Sequence, residues 1–351
     1  MNTSPDHESD NLEDRLIQNS PPENRFGDQF RDNTAFPDSS VAPPESTPDY
    51  AAEPLPVYPP EPWASDTARE ALPSFLHLPA PPPSRIPHFG HLLLLAALAS
   101  FGVLATGAVM GLAMILHLSG VSTTQRAMSD VHFLLGSEAL LYLSTFLFAI
   151  FVFPLFWHKS LFAGLQWNGR TALRLRWQLV SAAFLCLLLA LADSFIVPEP
   201  ADTPIEKIFR TPGAAWLLFA FGVTFAPFFE EIFFRGFLLP ALCTACDWFA
   251  EHTNGEPLRP LAENGHPQWS LSAMVIASIV VSIPFAWMHG EQTGYSIGPF
   301  LLLLGVSLVL CAVRLATRSL AASVLVHACY NFSLFSLMFI ATGGFRHLDK
   351  M

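Results

Sequence analysis

The chain has 351 residues, of which 52% are hydrophobic and 13% are charged, with a mean hydropathy of +0.40. This balance is typical of a polytopic membrane protein and excludes an ordinary soluble domain. The formal charge of −11 is concentrated in residues 1–85, which carry 15 acidic and five basic residues, so the remainder is nearly neutral and predicts no nucleic-acid partner.

The first 85 residues differ in composition from everything that follows. They hold 17 of the 30 prolines and show no sustained apolar period. Such a segment buries too little apolar surface to offset its ordering entropy, which predicts a disordered, acidic, proline-rich tail. No basic stretch followed by an apolar core opens the chain, so no signal peptide is predicted. The predicted domains are this tail at 1–85 and a membrane-embedded domain at 86–345.

From His91 onward, apolar runs of membrane-spanning length follow one another. The predicted fold class is all-α, a polytopic transmembrane helical bundle of seven or eight spans. The predicted spans are 92–116, 131–156, 178–198, 214–242, 271–289, 296–316 and 319–341. The fourth run is too long for an upright span, so it is predicted to be strongly tilted or broken near Pro227, and a break would give the eighth helix.

The positive-inside rule sets the expected orientation. With the N-terminus in the cytoplasm, eight Lys and Arg residues fall on the inside, Arg314 among them, and five fall outside. The predicted location is an integral membrane protein with a cytoplasmic N-terminus, in the inner membrane if the cell is bacterial.

The fourth run contains three charges, Glu230, Glu231 and Arg235. A charge near the bilayer centre costs on the order of 3 kcal/mol, so each needs a partner or a function. Glu231 and Arg235 are four residues apart and share a helix face, which predicts an ion pair. Glu230 is rotated by about 100° and is left for another role. A purely structural ion pair that locks two helices is the alternative.

Two further polar groups lie on later spans. Phe285 and His289 are four residues apart at the end of span five, and His327 and Asn331 have the same spacing on span seven. Polar residues in such runs are expected to face the bundle interior. With Glu230 they supply a base, imidazoles for water or metal, and oxyanion donors, the parts of a hydrolytic site. How His289 reaches the depth of Glu230 is left open.

The order Glu-Glu-x-x-x-Arg, Phe-x-x-x-His, His-x-x-x-Asn resembles the CAAX protease and bacteriocin-processing family (CPBP, also called Abi) of intramembrane endopeptidases. The likeness covers roughly residues 180–340. It implies that Glu230 and His289 activate water and that His327 and Asn331 stabilise the oxyanion. Glu231 and Arg235 would orient the first glutamate, with Phe285 in support. The implied activity is a membrane-embedded protease, of glutamate or metallo type.

Cofactor and partners follow from the same resemblance. The chain has no His-Glu-x-x-His zinc signature, so Glu-activated water without a cofactor is expected. Zinc held by Glu230, His289 and His327 is the alternative. The expected partners are membrane lipid and a peptide or protein substrate, with a lipid-modified C-terminus as one option. Bacteriocin processing or immunity is another option.

Two other classes of function compete with a protease. In a transporter or channel the same charges would form an ion relay, but no inverted repeat is visible. A non-catalytic scaffold or immunity protein would have no need of the complete motif set that this chain retains. Glu138, on the second span, is interpreted as a structural residue.

Overall fold

The computed structural model describes residues 85–117, 123–196, 213–255 and 266–346, together with 208, 209, 211, 257 and 259–262. The tail predicted at 1–85 lies outside these residues except for Arg85, so its disorder and the domain boundary stay predictions. Within the described ranges the only β-structure is an isolated bridge between Leu261 and Pro267.

Seven helices are long and apolar enough to cross a membrane, which confirms the predicted all-α bundle and an integral membrane protein. They are α1 (Phe89–Ile115), α2 (Val131–Trp157), α3 (Arg176–Ile196), α4 (Ala214–Thr253), α5 (Leu271–Met288), α6 (Ile297–Thr317) and α7 (Leu320–Ala341). Most ends lie within three residues of the predicted ones, because hydropathy alone marks a lipid-facing helix.

Helix α4 is the exception. It runs for 40 residues, about 60 Å of helix, and ends at Thr253 instead of at residue 242. The alternative of a break at Pro227 is wrong, so the spans described number seven and not eight. The chain instead passes through two π-helical segments, Phe221–Phe225 and Ile232–Leu238. Such segments are rare and occur frequently at functional sites.

A proline follows the first π-helical segment, and its missing N–H has to be compensated. The N–H of Ala226 bonds to the carbonyl of Phe221, five residues back. Continuing that pattern, the carbonyl of Gly222 would need the N–H of residue 227, which is a proline and has none. The side-chain amide of Asn331, on α7, donates to this carbonyl at 2.7 Å. A tertiary contact therefore replaces the missing backbone bond.

The second π-helical segment repeats this arrangement. The N–H of Leu239 bonds to the carbonyl of Phe234, and the next carbonyl, of Arg235, would need the N–H of Pro240. The Nε of Arg314, on α6, donates to the Arg235 carbonyl at 3.2 Å. Helix α4 thus stays continuous because α6 and α7 each supply a donor at the point where a proline removes one.

Arg314 also corrects the orientation count. The prediction counts it with an inside loop, but the structure buries it in α6. There its guanidinium also donates to the Gln166 side chain and the Leu165 carbonyl. A buried cation does not contribute to the charge of a loop, so the count of Lys and Arg falls to seven on the inside against five on the outside. The cytoplasmic N-terminus stays a prediction.

Helices α3, α6 and α7 pack together, α5 packs between α4 and α6, and α1 packs against α2. Large apolar side chains face outward along most helices, where lipid would contact them. Six buried polar and charged side chains gather at the contacts of α4 with α6 and α7, namely Glu231, Arg235, Ser307, Arg314, Ser323 and His327. This inside-out distribution of polarity is the one expected of a membrane bundle.

Candidate active site

The structure brings together three of the predicted site residues from three helices. Glu230 lies in the short α-helical turn between the two π-helical segments of α4. Its Oε2 atom is 3.9 Å from His289 Nε2 and 3.9 Å from His327 Nε2. This oxygen is buried and makes no hydrogen bond to any described residue. A buried carboxylate oxygen without a partner points to a bound molecule or a chemical role.

The depth of His289 is set by the register between α4 and α5. The Asp247 carboxylate accepts the backbone N–H of Ser270, at the start of α5, at 3.0 Å. Glu230 precedes Asp247 by 17 residues of α4, or about 26 Å, and His289 follows Ser270 by 19 residues of α5, or about 28 Å. Because the helices are antiparallel neighbours, the two side chains reach the same level.

Glu231 and Arg235 form the predicted ion pair, which the structure confirms. Arg235 Nη1 lies 2.9 Å from Glu231 Oε1, and neither side chain is exposed. Arg235 Nη2 donates to the hydroxyl and the carbonyl of Ser307, on α6. Its guanidinium also lies 4.4 Å from the ring centroid of Phe285. The pair therefore joins α4 to α5 and α6 in addition to neutralising itself.

His327 is held by the second glutamate. Its Nδ1 lies 3.0 Å from Glu231 Oε1, and Ser323, one turn earlier on α7, donates to Glu231 Oε2. An ionised carboxylate only accepts, so Nδ1 carries a hydrogen. The other nitrogen, Nε2, faces Glu230. A carboxylate behind an imidazole stabilises the protonated ring, as in the carboxylate–histidine pairs of hydrolases.

His289 has a different support. Its Nδ1 lies 2.8 Å from the backbone carbonyl of Phe285. A carbonyl cannot donate, so Nδ1 carries the hydrogen and the Nε2 of a neutral ring has a free lone pair. The two histidines that face Glu230 are therefore not equivalent, because one is backed by a carboxylate and the other by a neutral carbonyl.

Phe285 forms the apolar wall between them. Its ring is 5.0 Å from that of His289 and 5.8 Å from that of His327, centroid to centroid. It is almost fully buried, with 1% exposed. The predicted supporting role therefore has a physical basis, since one ring orients two imidazoles and covers the Arg235 guanidinium.

Asn331 lies one turn beyond His327 on the same face of α7. Its amide nitrogen donates to the Gly222 carbonyl, and no contact with Glu230 is recorded in the described part of the chain. The structure thus gives Asn331 a structural contact that the sequence did not predict. The predicted oxyanion role requires the second hydrogen of the same amide.

The zinc alternative requires donor atoms at the spacing of zinc ligands. A tetrahedral zinc site with ligands at about 2.1 Å places donor atoms about 3.4 Å apart. The two separations around Glu230 Oε2 are both 3.9 Å, which is wider. Among the described residues, no three His, Cys, Asp or Glu side chains form a metal-binding group. The residues as placed do not fit zinc, and no step is assigned to it.

An apolar cavity of about 510 Å³ reaches the site from the side of α1 and α2. Glu230 forms part of its wall, and it is the only charged residue among the described residues that line it. The remaining wall is almost entirely apolar, and its residues include Leu95, Ala99, Phe146, Phe233, Pro284 and Met288. The carboxylate therefore faces a space shaped for apolar groups.

Sequence reasoning missed three supporting residues. Ser323 precedes His327 by four residues and so shares its face, a signal that the spacing contained. Ser307 and Arg314, on α6, are one heptad apart and both contact Arg235. Their partners lie more than 70 residues away, and no spacing rule within one helix identifies them.

One family model matches the chain. The model described as Type II CAAX prenyl endopeptidase Rce1-like matches residues 212–333, a segment that contains all seven predicted site residues. No curated protein and no solved structure matched. Residues 212–333 are therefore similar to the Rce1-like type II CAAX prenyl endopeptidases, and this similarity agrees with the resemblance that the three motifs indicate.

Proposed function

We propose that the protein is an intramembrane endopeptidase in which Glu230 activates the water that attacks a peptide bond. The observation that carries this proposal is the unpartnered Glu230 Oε2, buried and 3.9 Å from two imidazole nitrogens. The family match independently supports a membrane protease.

The geometry leaves room for the nucleophile. A separation of 3.9 Å is too long for a direct hydrogen bond between Glu230 and His289. A single water about 2.8 Å from both atoms bridges them without strain, since hydrogen bonds to oxygen and nitrogen have this length. The water donates one hydrogen to the carboxylate and the other to the free lone pair of His289 Nε2.

The reaction then follows general base catalysis. Glu230 takes a proton as the water oxygen bonds to the carbonyl carbon of the substrate, and the carbonyl oxygen becomes an oxyanion. The C–N bond breaks when Glu230 returns that proton to the leaving amine. The products are a carboxylic acid and an amine, and transfer of the remaining water proton between them gives a carboxylate and an ammonium group, while the glutamate ends in its starting state.

The oxyanion needs donors on the opposite side. The donor role of His327 requires the doubly protonated ring, in which Nδ1–H donates to Glu231 and Nε2–H points toward the site. Asn331 supplies the second donor through the amide hydrogen that Gly222 does not use. A donor of this kind is worth about 10²–10³ in rate in a well-studied protease.

The cavity favours a substrate with a large apolar group beside the scissile bond. A lipid-modified C-terminus and an apolar membrane segment both satisfy this condition. Transfer of apolar surface into such a space is worth roughly 25 cal/mol per Å². A peptide that carries the apolar group should therefore be cleaved at lower concentration than the same peptide without it.

The test is a comparison of membranes that carry the wild type or Glu230→Gln. The substitution keeps the side-chain size and removes the base, so new peptide termini should appear with the wild type alone. Glu291→Gln is the matched control, because Glu291 is exposed in the connection between α5 and α6. Identical termini in wild-type and Glu230→Gln membranes would remove the proposed mechanism.

A further inference from the structure

A second carboxylate lies close to the site, and the proposed mechanism does not use it. Glu138 lies on α2, one helical turn before Tyr142. The Tyr142 hydroxyl donates to Glu138 Oε1 at 2.9 Å. The Tyr142 ring stacks on Phe229, the neighbour of Glu230, with centroids 5.2 Å apart. Helix α2 therefore holds this carboxylate in a fixed position relative to the proposed base.

Glu138 lines a cavity of about 520 Å³ between α1 and α2. Its other walls are mainly apolar, with Met110 and Phe133 among them, and the remaining polar residues are Thr106 and Ser137. This cavity shares two wall residues, Val103 and Leu141, with the cavity that reaches Glu230. We call the two adjoining spaces the α1–α2 groove. The groove begins where α1 ends and α2 starts and leads to the site.

Two hydroxyls in the groove have no partner. Thr106 Oγ1 and Thr145 Oγ1 are buried and make no hydrogen bond to the described residues. Serines on the same two helices do bond to their own backbone; Ser100, Ser137 and Ser144 each donate to a carbonyl three or four residues back. A buried, unsatisfied hydroxyl is costly. The walls of the groove therefore contain polar atoms that the described residues leave unsatisfied.

The described walls of the groove give Glu138 no basic partner. The hydrogen bond that reaches Glu138 comes from Tyr142, which is a neutral donor. No Lys or Arg is among the described residues that line either cavity. A cationic side chain beside Glu138 would supply the ionic partner that these walls do not offer.

We propose that the α1–α2 groove binds an extended segment of the substrate and that Glu138 is a specificity-determining residue that accepts a lysine or arginine side chain near the scissile bond. The proposal rests on the proposed protease function and adds a substrate class to it. The apolar part of the groove holds the aliphatic stem of such a side chain, and Glu138 pairs with its charged end.

The first test is cleavage by the purified full-length protein in nanodiscs. Fluorogenic peptides are varied one position at a time, over four residues on each side of the scissile bond, with lysine, norleucine or glutamate. At one position the wild type should prefer lysine over norleucine by about 10- to 100-fold in kcat/KM, as expected for a charge-assisted bond. Glu138→Gln should bring this ratio close to 1, and Glu138→Lys should shift the preference to glutamate. The control Glu291→Gln should keep the wild-type ratio.

The second test separates binding from cleavage. Fluorescence anisotropy gives the Kd of the same peptides for Glu230→Gln, which binds but is not expected to cleave. A tighter Kd for the lysine peptide that is lost in Glu138→Gln/Glu230→Gln supports the groove. This holds even if the wild type cleaves no peptide, because absence of cleavage counts against the protease function alone. If Glu138→Gln does not fold, Tyr142→Phe keeps the carboxylate, releases its orientation and should reduce the preference. Equal Kd values for the three peptides at every position overturn the proposal.

Discussion

The buried pair of Glu231 and Arg235 makes a quantitative prediction about stability. Both side chains are fully buried, so solvent does not screen either charge after its partner is removed. Glu231→Gln leaves the Arg235 guanidinium with neutral groups, among them Ser307 and the rings of Phe234 and Phe285. Arg235→Gln leaves the Glu231 carboxylate with Ser323 and His327. Each single change is expected to lower the free energy of unfolding by about 3–5 kcal/mol.

The double substitution should cost less than the sum of the two. With both charges gone, two neutral amides occupy the site and no charge is stranded, so the coupling energy should reach about 1.5–3 kcal/mol. Reversible unfolding in mixed micelles, followed by helical circular dichroism, measures all four proteins. Arg170→Gln, at an exposed position, is the control and should stay within about 0.5 kcal/mol of the wild type. Additivity within about 0.5 kcal/mol would refute the argument that the pair acts as a unit.

Three further predictions use other parts of the structure. Asn331→Ala should lower kcat by about 10²-fold and the free energy of unfolding by about 1–3 kcal/mol, because the Gly222 carbonyl loses its donor; wild-type stability would contradict the contact across the π-helical segment. A metal-free preparation should keep full cleavage activity; loss on chelation with recovery on added zinc would replace the cofactor-free mechanism. Proteolysis of inside-out vesicles should remove residues 1–85, and removal from right-side-out vesicles instead would reverse the predicted orientation.

The span positions could be predicted because burial in lipid imposes a single requirement, a long apolar helix, that each stretch satisfies by itself. The Glu231–Arg235 pair could be predicted for a similar reason, since both residues lie on one helix and the spacing fixes their face. The three site motifs could be predicted for the same reason, because each lies within one helix. Their order along the chain indicates the family resemblance without any contact between helices.

The remaining features depend on contacts between helices. A break at Pro227 is one of the two alternatives that the sequence offers, yet α4 continues because Asn331 satisfies the carbonyl that the proline leaves open. Arg314 lies close to a span end, so hydropathy predicts a loop charge; the carbonyl that Arg235 offers it belongs to another helix and leaves no signal in the local sequence. The depth of His289 in the bundle follows from the hydrogen bond between the Asp247 carboxylate and the N–H of Ser270, at the start of α5.

The central claim is that Glu230 is the base of a hydrolytic site, and its most direct test is the turnover number of Glu230→Gln on a verified peptide substrate. The purified variant should unfold at the same temperature as the wild type within a few degrees, since Glu230 Oε2 makes no hydrogen bond to the described residues. Its kcat should fall to the background of the assay, while Glu291→Gln turns over at the wild-type rate. A folded Glu230→Gln protein that cleaves the peptide at the wild-type rate would contradict the account.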